Sequence, residues 1–508
     1  MVNSGGKLGR SLVAVAAVGT VALLGVAGCS SDSGDQGPNV RDTSTNVQFT
    51  ACTPETCAGV IDGFPFEIVM PTRWNGSLLV YSPDAPARDA SGASTAAIAE
   101  VAPGWATQSR AAADGLLTAG YALAGLSTPG TGWPVEAQVQ AMGKLREHFL
   151  SQVGQPNRVY SWGQGVGAVS SALAAERQDW VNGSAPMCGL LAGVNPNYDL
   201  ALDAAYLVKT LLYPGMKLSD YKSAAEAAKS YREAMAAVRK AAADVYGPGG
   251  MQLAVIAAAG EIPTKNAVNS GSGLRGKAVT VPDALSAIVA RSTVGRFEIE
   301  QQFGGNPSTN VDTDYGARVT KSEREVLAIF DKKAVDKYLA MANKGKRVAA
   351  DPAAREAASQ SGALTGQVRV PTVTLHTEYD AQAIVQNESM PAVMAARAGA
   401  DQLRLLKINV TSPPGSYPEK GSVAYGAGHC NFTPQSVQGV IAIVNDMVRD
   451  DIFPTVVNTT RLLGAESGYN PDYRLRQWPV GPDLPASAGS PPVEESPGPG
   501  ESPAPEGE

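Results

Sequence analysis

The sequence predicts an α/β fold with a mainly parallel β-sheet, interrupted by a mostly helical segment. Short apolar strand patterns alternate with helical patterns along residues 64–191, which is typical of βαβ units. Residues 198–345 instead show mostly helical periodicity. The third observation is residues 157–173, where a short strand passes directly into an alanine-rich helix over a glycine-dense turn.

Strand and helix patterns follow one another through the N-terminal part of the chain. Two β-rich runs on either side of a turn at residues 71–76 form either a hairpin or two separate early strands. A helical pattern then ends at Gly120, a typical C-terminal cap, and a buried strand and a second helix follow. In order, the predicted elements are strands at 64–70 and 77–81, a helix at 96–119, a strand at 121–125, a helix at 135–153, and strands at 158–162 and 183–191.

The helical segment begins with a helix that Ser219 can cap and that stops at Gly247 and Pro248. This segment either covers a substrate pocket or adds bulk to an edge of the sheet, and the sequence favours neither interpretation. The sheet resumes after it. The further predicted elements are helices at 251–259, 282–303 and 322–343, strands at 370–376 and 402–410, and a helix at 435–448.

The first residues carry the features of an exported bacterial lipoprotein. Lys7 and Arg10 precede an apolar run at residues 12–26, which is short for a transmembrane helix and is followed at once by small residues. The run ends in a segment that resembles a lipobox, and this implies cleavage before Cys29 and diacylation of its thiol. An uncleaved anchor is the alternative. We expect the protein to be tethered to the outer face of the cell membrane through this lipid.

The net charge of −7 is concentrated at the C-terminus. Residues 481–508 hold six acidic residues and no basic residue, so the rest of the chain carries a net charge of −1. This tail, rich in Pro, Ser, Glu and Gly, cannot form a core and is expected to be disordered. The sequence has no basic stripe that could follow a phosphate backbone, so we expect no nucleic-acid partner.

Four cysteines remain besides the lipobox cysteine, in a compartment that permits disulfides. They allow three connectivities. We favour Cys52–Cys57, which closes a small proline-containing loop, and Cys188–Cys430, with free buried thiols as the alternative for the second pair. No Cys/His spacing resembles a zinc site, and we expect no metal.

The glycine-dense turn has the shape of a nucleophile elbow. In that motif, G-x-S-x-G between a strand and a helix exposes a serine above a parallel sheet. Here the three motif positions are Gly163, Gly165 and Gly167, so the central position has no hydroxyl. Ser161 lies in the strand and Ser170 lies further along the helix, so neither is on the turn.

Acyl transfer by a serine hydrolase needs a base and a carboxylate that orients it, in the chain order nucleophile, acid, histidine. His148 lies beside charged residues in a helical pattern, and His376 lies within a strand pattern, so we expect a surface and a core role for them. His429 lies in a glycine-flanked loop after the last strand, where functional residues concentrate. Asp380 is our candidate acid, with Glu378 as its rival.

Six segments of the chain, in order, match a known fold family: residues 74–81 (WNGSLLVY), 120–124 (GYALA), 157–173, 185–189 (APMCG), 304–307 (GGNP) and 428–432 (GHCNF). They resemble secreted bacterial α/β-hydrolase-fold proteins, which include serine esterases and peptidases. The resemblance extends from about residue 64 to residue 449. It implies a Ser–Asp–His triad at Gly165, Asp380 and His429. It also suggests a disulfide between Cys188 and Cys430 that fixes the histidine loop to the sheet.

Two departures from the family pattern concern the chemistry. Gly165 supplies no nucleophile, and removing the nucleophile of a serine hydrolase typically costs about 10⁶ in kcat. Where such proteins usually show His-Gly for the oxyanion loop, this chain has Pro83, which donates no N–H. The N–H of Val166 remains as one oxyanion donor. With Gly163 and Gly167 it forms a helix N-terminus that suits a ligand carboxylate or phosphate.

The same glycines also fit the dinucleotide motif G-x-G-x-x-[GA], with Ala168 at its last position. That motif expects an acidic residue at the end of the next strand. Residues 187–191 contain none. Redox cofactors are also unusual on exported lipoproteins, so we expect no cofactor.

Three functional hypotheses follow from the sequence. The preferred one is a catalytically impaired hydrolase homologue that binds a small acyl- or carboxylate-bearing ligand in the former active site. The alternatives are an active ester or peptide-bond hydrolase with an unrecognised nucleophile, and a scaffold or partner-binding lipoprotein. The predicted organisation is a signal peptide (1–28), a polar tether with a small cysteine loop (29–62), the hydrolase core in two parts (63–197 and 346–480), the helical insertion as a cap (198–345) and the tail (481–508).

Overall fold

The computed structural model describes residues 41–42, 56–61, 64–85, 110–126, 132–399, 403–417 and 423–478. All of them belong to the unit Val40–Glu508. The predicted signal peptide, the lipobox with Cys29, the cysteine at Cys52 and the acidic tail lie outside the described residues.

Most strands belong to one eight-stranded sheet. The described strands are β1 (Arg41–Asp42), β2 (Thr56–Ile61), β3 (Phe64–Val69), β4 (Arg73–Trp74), β5 (Ser77–Ser82), β6 (Ala122–Leu126), β7 (Arg158–Gln164), β8 (Gly183–Met187), β9 (Thr372–Val373), β10 (His376–Thr377), β11 (Leu406–Lys407) and β12 (Val410–Thr411). Across the sheet the order is β2-β3-β6-β5-β7-β8-β9-β11. β6 lies between β3 and β5, so the two early runs are separate strands rather than a hairpin.

The strand directions complete the topology. β3 pairs antiparallel with β2 and with β6, whereas β5, β6, β7, β8, β9 and β11 run parallel to one another. An otherwise parallel sheet with an antiparallel second strand and an exchanged β5 and β6 is the arrangement of the α/β-hydrolase fold. The predicted fold is therefore confirmed.

Helices flank the sheet and form the insertion. They are α1 (Arg110–Thr118), α2 (Val135–Gln152), α3 (Val166–Arg177), α4 (Val194–Leu211), α5 (Ala224–Ala243), α6 (Pro248–Ala259), α7 (Gly273–Ala290), α8 (Arg296–Phe303), α9 (Tyr315–Arg318), α10 (Lys321–Lys344), α11 (Pro352–Gln360), α12 (Ser389–Ala398), α13 (Pro434–Asp450) and α14 (Val456–Leu463). A π-helical turn, Arg291–Gly295, joins α7 to α8. Of the helices in the described ranges, none has both the length and the apolar character needed to cross a membrane.

Alternate residues of each central strand face two different helical layers. In β5, Leu78 and Val80 pack with residues of α2 and α3, whereas Leu79 and Tyr81 pack with residues of α1 and α13. All four side chains are buried. Because strand side chains alternate with a period of two, a strand covered on both faces is a continuous apolar run. This is the pattern from which the sheet was predicted.

Two helix starts in the insertion differ from the prediction. Ser223, rather than Ser219, caps α5, and its hydroxyl accepts a backbone N–H of the first turn. α7 begins well before Pro282, which lies inside the helix. Burial of Val281 and its neighbours in the core of the insertion outweighs the proline, which costs about 3 kcal/mol in a helix interior.

A buried ion pair connects α4 to α9 within the insertion. The carboxylate of Asp203, whose side chain is 1% exposed, lies 2.7 Å from Nη2 of Arg318. It also accepts the hydroxyl of Tyr315 at 2.8 Å. Burial raises the pKa of Asp203, and the Arg318 guanidinium acts in the opposite direction. The helical block therefore has a charged centre within its own apolar core.

Replacing Asp203 with alanine is expected to destabilise the protein by about 3–5 kcal/mol, because it leaves the largely buried Arg318 guanidinium without its carboxylate. Urea unfolding followed by circular dichroism measures this change. The exposed acid Asp336, which pairs with Lys332, is the matched control, and its alanine variant is expected to lose far less stability, because solvent screens an exposed ion pair. Equal losses in the two variants would contradict a structural role for the buried pair.

Candidate functional site

The predicted elbow is present at the junction of β7 and α3. Only Gly165 separates the two elements, and its φ of 56° and ψ of −120° place it in a region that favours glycine. A Cβ on Gly167 would lie 2.1 Å from the carbonyl oxygen of Ser82, and a Cβ on Gly163 would lie 2.7 Å from the same oxygen. Gly163 and Gly167 were predicted to contact a ligand. In the structure, their lack of side chains allows the end of β5 to pass close to the turn.

The loop after β5 places the carboxylate of Asp84 directly over the elbow. Its Oδ1 accepts the backbone N–H of Val166 at 2.7 Å and that of Ala85 at 2.8 Å. A Cβ on Gly165 would lie only 2.1 Å from Cγ of Asp84. The carboxylate thus occupies the space that an elbow side chain would need, and it binds the N–H predicted as an oxyanion donor.

His429 lies between two carboxylates. Its Nδ1 is 2.8 Å from Oδ2 of Asp380, and its Nε2 is 3.3 Å from Oδ2 of Asp84. The side chains of Asp380, His429 and Asp84 are 0%, 11% and 35% exposed, so accessibility increases toward Asp84. The structure brings together the predicted acid, the predicted base and the elbow, and it adds Asp84 where the nucleophile would lie.

The two carboxylates keep His429 protonated. Burial lowers the pKa of His429, but Asp380 and Asp84 raise it further, to about 10. Burial raises the pKa of Asp380, but the imidazoles of His429 and His376 lower it by more, so the pKa of Asp380 lies below its usual value. At neutral pH His429 is a cation, so it cannot accept a proton while both contacts persist.

Backbone N–H groups fix the orientation of the acid. Oδ1 of Asp380 accepts the N–H of Gln382 at 2.8 Å and that of Ala383 at 2.9 Å, which leaves Oδ2 for the imidazole. Glu378, the rival acid, instead lines a separate cavity of about 390 Å³ beside Tyr379. Neither Asp84 nor His429 lines that cavity.

Two connections hold the histidine loop against the sheet. The hydroxyl of Thr377, in β10, donates to the carbonyl of Gly428 at 2.6 Å. A disulfide joins Cys188, at the end of β8, to Cys430, which confirms the predicted pairing. The two sulfurs and His429 lie within 4.8 Å of one another, but the sulfurs are bonded to each other and cannot bind a metal as thiolates. Cys57 is also disulfide-bonded.

A second histidine, His376, lies next to Asp380 in the protein interior. His376 is fully buried, and its Nδ1 lies 2.8 Å from Oε1 of Glu388. Its Nε2 lies 2.7 Å from the carbonyl oxygen of Ala383 and 3.8 Å from Oδ2 of Asp380. Burial lowers the pKa of His376, but Glu388 raises it more, so the net shift is upward. Acceptors at both ring nitrogens stabilise the imidazolium.

The other side chains considered from the sequence lie away from this cluster. His148 is half-buried on α2, and its ring packs edge-on against Phe66 at 4.7 Å between centroids. Ser161 is buried and bonds to the hydroxyl of Ser184, and Ser170 is buried and bonds to a glutamine of α2. Neither serine is available to a ligand.

A cavity of about 430 Å³ lies over Asp84. The sheet side contributes Asp84 and Leu190, and the insertion contributes Tyr198, Tyr231 and Arg291. The helical block therefore covers the elbow, as a cover over a ligand pocket would.

Two members of the cluster were missed from the sequence. Asp84 follows the strand that crosses the elbow, and an acid at that point is the signal that could have identified it. Glu388 gave no signal, because its contact with His376 depends on a 3₁₀ turn, Val385–Glu388, that folds back beneath Asp380.

No protein-family model matches the chain, and no curated protein matches it. Among solved structures, it is similar to feruloyl esterase B from Aspergillus oryzae, with 12% identity and a TM-score of 0.37 over 78% of this chain and 81% of that one. It is also similar to another esterase from Aspergillus oryzae (12% identity, TM-score 0.36, 82% and 86% covered) and to Est1E from Butyrivibrio proteoclasticus (11%, 0.28, 79% and 100%). Because these identities and TM-scores are low, the fold is assigned from the strand order, and the site is described from the distances between its own residues.

Replacing Asp84 with asparagine is expected to lower the pKa of His429 from about 10, because one of the two carboxylates that stabilise the imidazolium is removed. The pKa of His429 in the folded protein, about 10, lies above its ordinary value of 6.5. The stabilisation by protonated His429 is therefore complete below pH 6.5 and is lost as the pH rises through about 10. NMR titration of the imidazole signals measures the pKa, and urea unfolding at a series of pH values measures the stability.

His148 is the internal control for that titration, since burial lowers its pKa and it lies outside the cluster. Its titration is expected to be the same in the unmodified protein and in the variant. A His429 that already titrates near pH 6.5 in the unmodified protein would contradict the clamped imidazolium.

Proposed function

We propose that this protein has lost serine-dependent acyl transfer and binds a small molecule in the cavity over Asp84. One observation carries the proposal: the Asp84 carboxylate occupies the volume of an elbow side chain and accepts the N–H of Val166. A substrate carbonyl would therefore meet neither a hydroxyl nor that oxyanion donor. Oxyanion donors contribute about 10²–10³ in kcat each, so two parts of the acyl-transfer machinery are missing together.

The charges of the cavity indicate how a ligand would be oriented. Asp84, Asp283 and Glu298 give the lining an acidic character, and Arg291 contributes a guanidinium. An acyl- or carboxylate-bearing ligand would place its carboxylate toward Arg291, because Asp84 already occupies the N-terminus of α3. Its apolar part would lie against Leu190 and the aromatic residues.

The proposed location is the outer face of the bacterial membrane. The support is the segment that resembles a lipobox at Cys29, after a charged and an apolar stretch. The polar tether that follows would separate the folded unit from the bilayer. The proposed partners are the membrane, through the lipid, and a small-molecule ligand.

Replacing Gly165 with serine alone is expected to produce no esterase activity. The new Cβ would overlap the Asp84 carboxylate, and a non-glycine residue in this backbone region costs about 1–3 kcal/mol. Combining Gly165→Ser with Asp84→Ala removes the overlap and frees the N–H of Val166. The double variant is expected to react with a fluorophosphonate probe and to hydrolyse p-nitrophenyl acetate.

Adding His429→Ala to the double variant is the control, and it should abolish the gained activity. The proposal is wrong if the unmodified protein reacts with the fluorophosphonate and loses that reaction in the His429→Ala variant. A double variant that is folded but inert would show that the elbow is not a former serine site.

Replacing Cys29 with alanine is expected to release the protein from the membrane fraction and to abolish incorporation of an alkyne-labelled fatty acid. In-gel fluorescence after cell fractionation measures both changes. Ser33→Ala is the matched control, since it changes a nearby residue without removing a thiol and should leave labelling unchanged. Labelling that persists in the Cys29→Ala variant would contradict the lipid attachment.

A further inference from the structure

We infer that the cavity beside Tyr379 is a second binding site, which takes a small quaternary ammonium ion through the rings of Tyr379 and Tyr473 and the carboxylate of Glu378. We call this cavity the tyrosine cavity. The inference goes beyond the proposed function and does not depend on it, because the tyrosine cavity and the cavity over Asp84 share no lining residue.

The tyrosine cavity lies where the insertion meets the chain that follows β10. The end of α6 and the start of α10 supply one part of its lining, and residues 378–386 and 473–476 supply another. Its volume is about 390 Å³. Sites for small molecules in proteins are typically about 300–1,000 Å³, so the cavity is large enough for a compact ligand.

Carboxylates outnumber cations in the lining. The charged lining residues are Glu261, Glu323, Glu378, Lys277 and Arg476, which gives a net formal charge of −1. Arg476 is already paired, because its Nη1 lies 3.3 Å from Oε2 of Glu261. The lining therefore favours a cationic ligand over an anionic one.

Two tyrosine rings lie close to the Glu378 carboxylate and line the same cavity. Burial raises the pKa of both Tyr379 and Tyr473, and Glu378 raises it further, to about 12 for Tyr473. Both phenols are therefore neutral at physiological pH. A tyrosine ring attracts a cation through its quadrupole, and the carboxylate attracts the same charge, so the three groups together suit an ammonium ion.

The chain itself places a cation on one of these rings. Nζ of Lys265 lies 4.5 Å from the ring centroid of Tyr379. This distance is well within the limit of about 6 Å for a cation–π contact. Lys265 is not among the residues that line the tyrosine cavity, so its ammonium group leaves the cavity to a ligand.

Glu261 supplies a further carboxylate from an unfavourable position. It follows α6 with a φ of 55°, in the left-handed region where glycine is the usual residue after a helix. Its side chain is only 10% exposed, and burial raises its pKa. The C-terminus of a helix also disfavours a negative charge. A ligand cation in the cavity would offset both the burial and the helix dipole.

The apolar part of the lining indicates the kind of ammonium group. Ile262, Val326 and Leu327 line the cavity together with the two tyrosines. Methyl groups on a quaternary nitrogen can pack against such residues, whereas a primary ammonium would need three hydrogen-bond acceptors. Choline is therefore a suitable probe, and 3,3-dimethylbutan-1-ol, which has the same shape and no charge, is its neutral control.

The first test is a titration of the full-length protein, in a nonionic detergent, with each of the two compounds. Saturation-transfer NMR of the methyl signals measures the dissociation constants. Choline is expected to bind at least about tenfold more tightly than its neutral isostere, because only choline gains the attraction of the rings and the carboxylate. Equal affinities, or no binding of choline, would overturn the inference.

Variants of the lining test the location. Tyr473→Leu is expected to weaken choline binding about 2–30-fold, the range that a cation–π contact contributes, and Glu378→Gln is expected to weaken it more. The matched control is Glu325→Gln, which removes a 67% exposed carboxylate of α10 that does not line the cavity. Circular dichroism verifies that each variant is folded. Unchanged binding in the first two variants, or an equal loss in the control, would contradict the assigned site.

Glu261→Gly tests whether the strained acid serves the ligand. Glycine removes the backbone cost, so the urea midpoint is expected to stay the same or rise while choline binding weakens. A variant that is less stable and binds choline as tightly as the unmodified protein would show that Glu261 has a structural role only, and it would remove Glu261 from the site.

Asp84→Asn separates this inference from the proposed function. Choline binding is expected to be the same in this variant as in the unmodified protein, since Asp84 does not line the tyrosine cavity. Binding that is lost in Asp84→Asn and kept in Glu378→Gln would place the cation in the cavity over Asp84. That result would overturn the inference and support a ligand pocket over Asp84, whereas a failure of choline to bind anywhere leaves the proposed function standing.

Discussion

The site depends on one carboxylate, that of Asp84, which bridges the N-terminus of α3 and the imidazole of His429. A helix N-terminus carries roughly half a positive charge, and His429 carries a full one, so an anion between them is stabilised from both sides. The chain supplies that anion itself. This contact fits glycine at position 165, since a Cβ there would overlap the carboxylate unless the Asp84 side chain moved. The glycine at the elbow and the position of Asp84 are thus two parts of one arrangement.

Charges alternate along the cluster from the cavity to the core. Asp84, His429, Asp380, His376 and Glu388 follow one another with separations of 3.3, 2.8, 3.8 and 2.8 Å. Each histidine lies between two carboxylates that raise the pKa of its imidazole, and the two imidazoles hold the pKa of Asp380 below its usual value. Burial alone would oppose these charges, so the network must be complete to be stable. The insertion has its own apolar core and contributes Tyr198, Tyr231 and Arg291 to the lining of the cavity over Asp84.

The fold and half of the site could be predicted from the sequence, because they depend on local patterns and chain order. Alternating apolar runs predicted the strands, and the order of Gly165, Asp380 and His429 followed the layout of the hydrolase fold. The contact between Asp84 and Val166 could not be predicted in this way, since it arises where β5 and β7 lie side by side in the sheet. From the sequence, the loop after β5 was considered only for the missing N–H of Pro83. Its acidic neighbour, Asp84, was not considered as a site residue. The cap at Ser223 was missed although it has a local signal, because Ser223 and Glu226 have the S-x-x-E spacing of a capping box and Ser219 has no acid at that spacing.

A crystal structure of the unmodified protein near neutral pH, at a resolution that separates the two oxygens of Asp84, tests the central claim most directly. The account predicts one oxygen within hydrogen-bonding distance of the backbone nitrogens of Val166 and Ala85, and the other beside Nε2 of His429. Density for a water or an anion at the nitrogen of Val166, with the Asp84 side chain turned toward solvent, would contradict it.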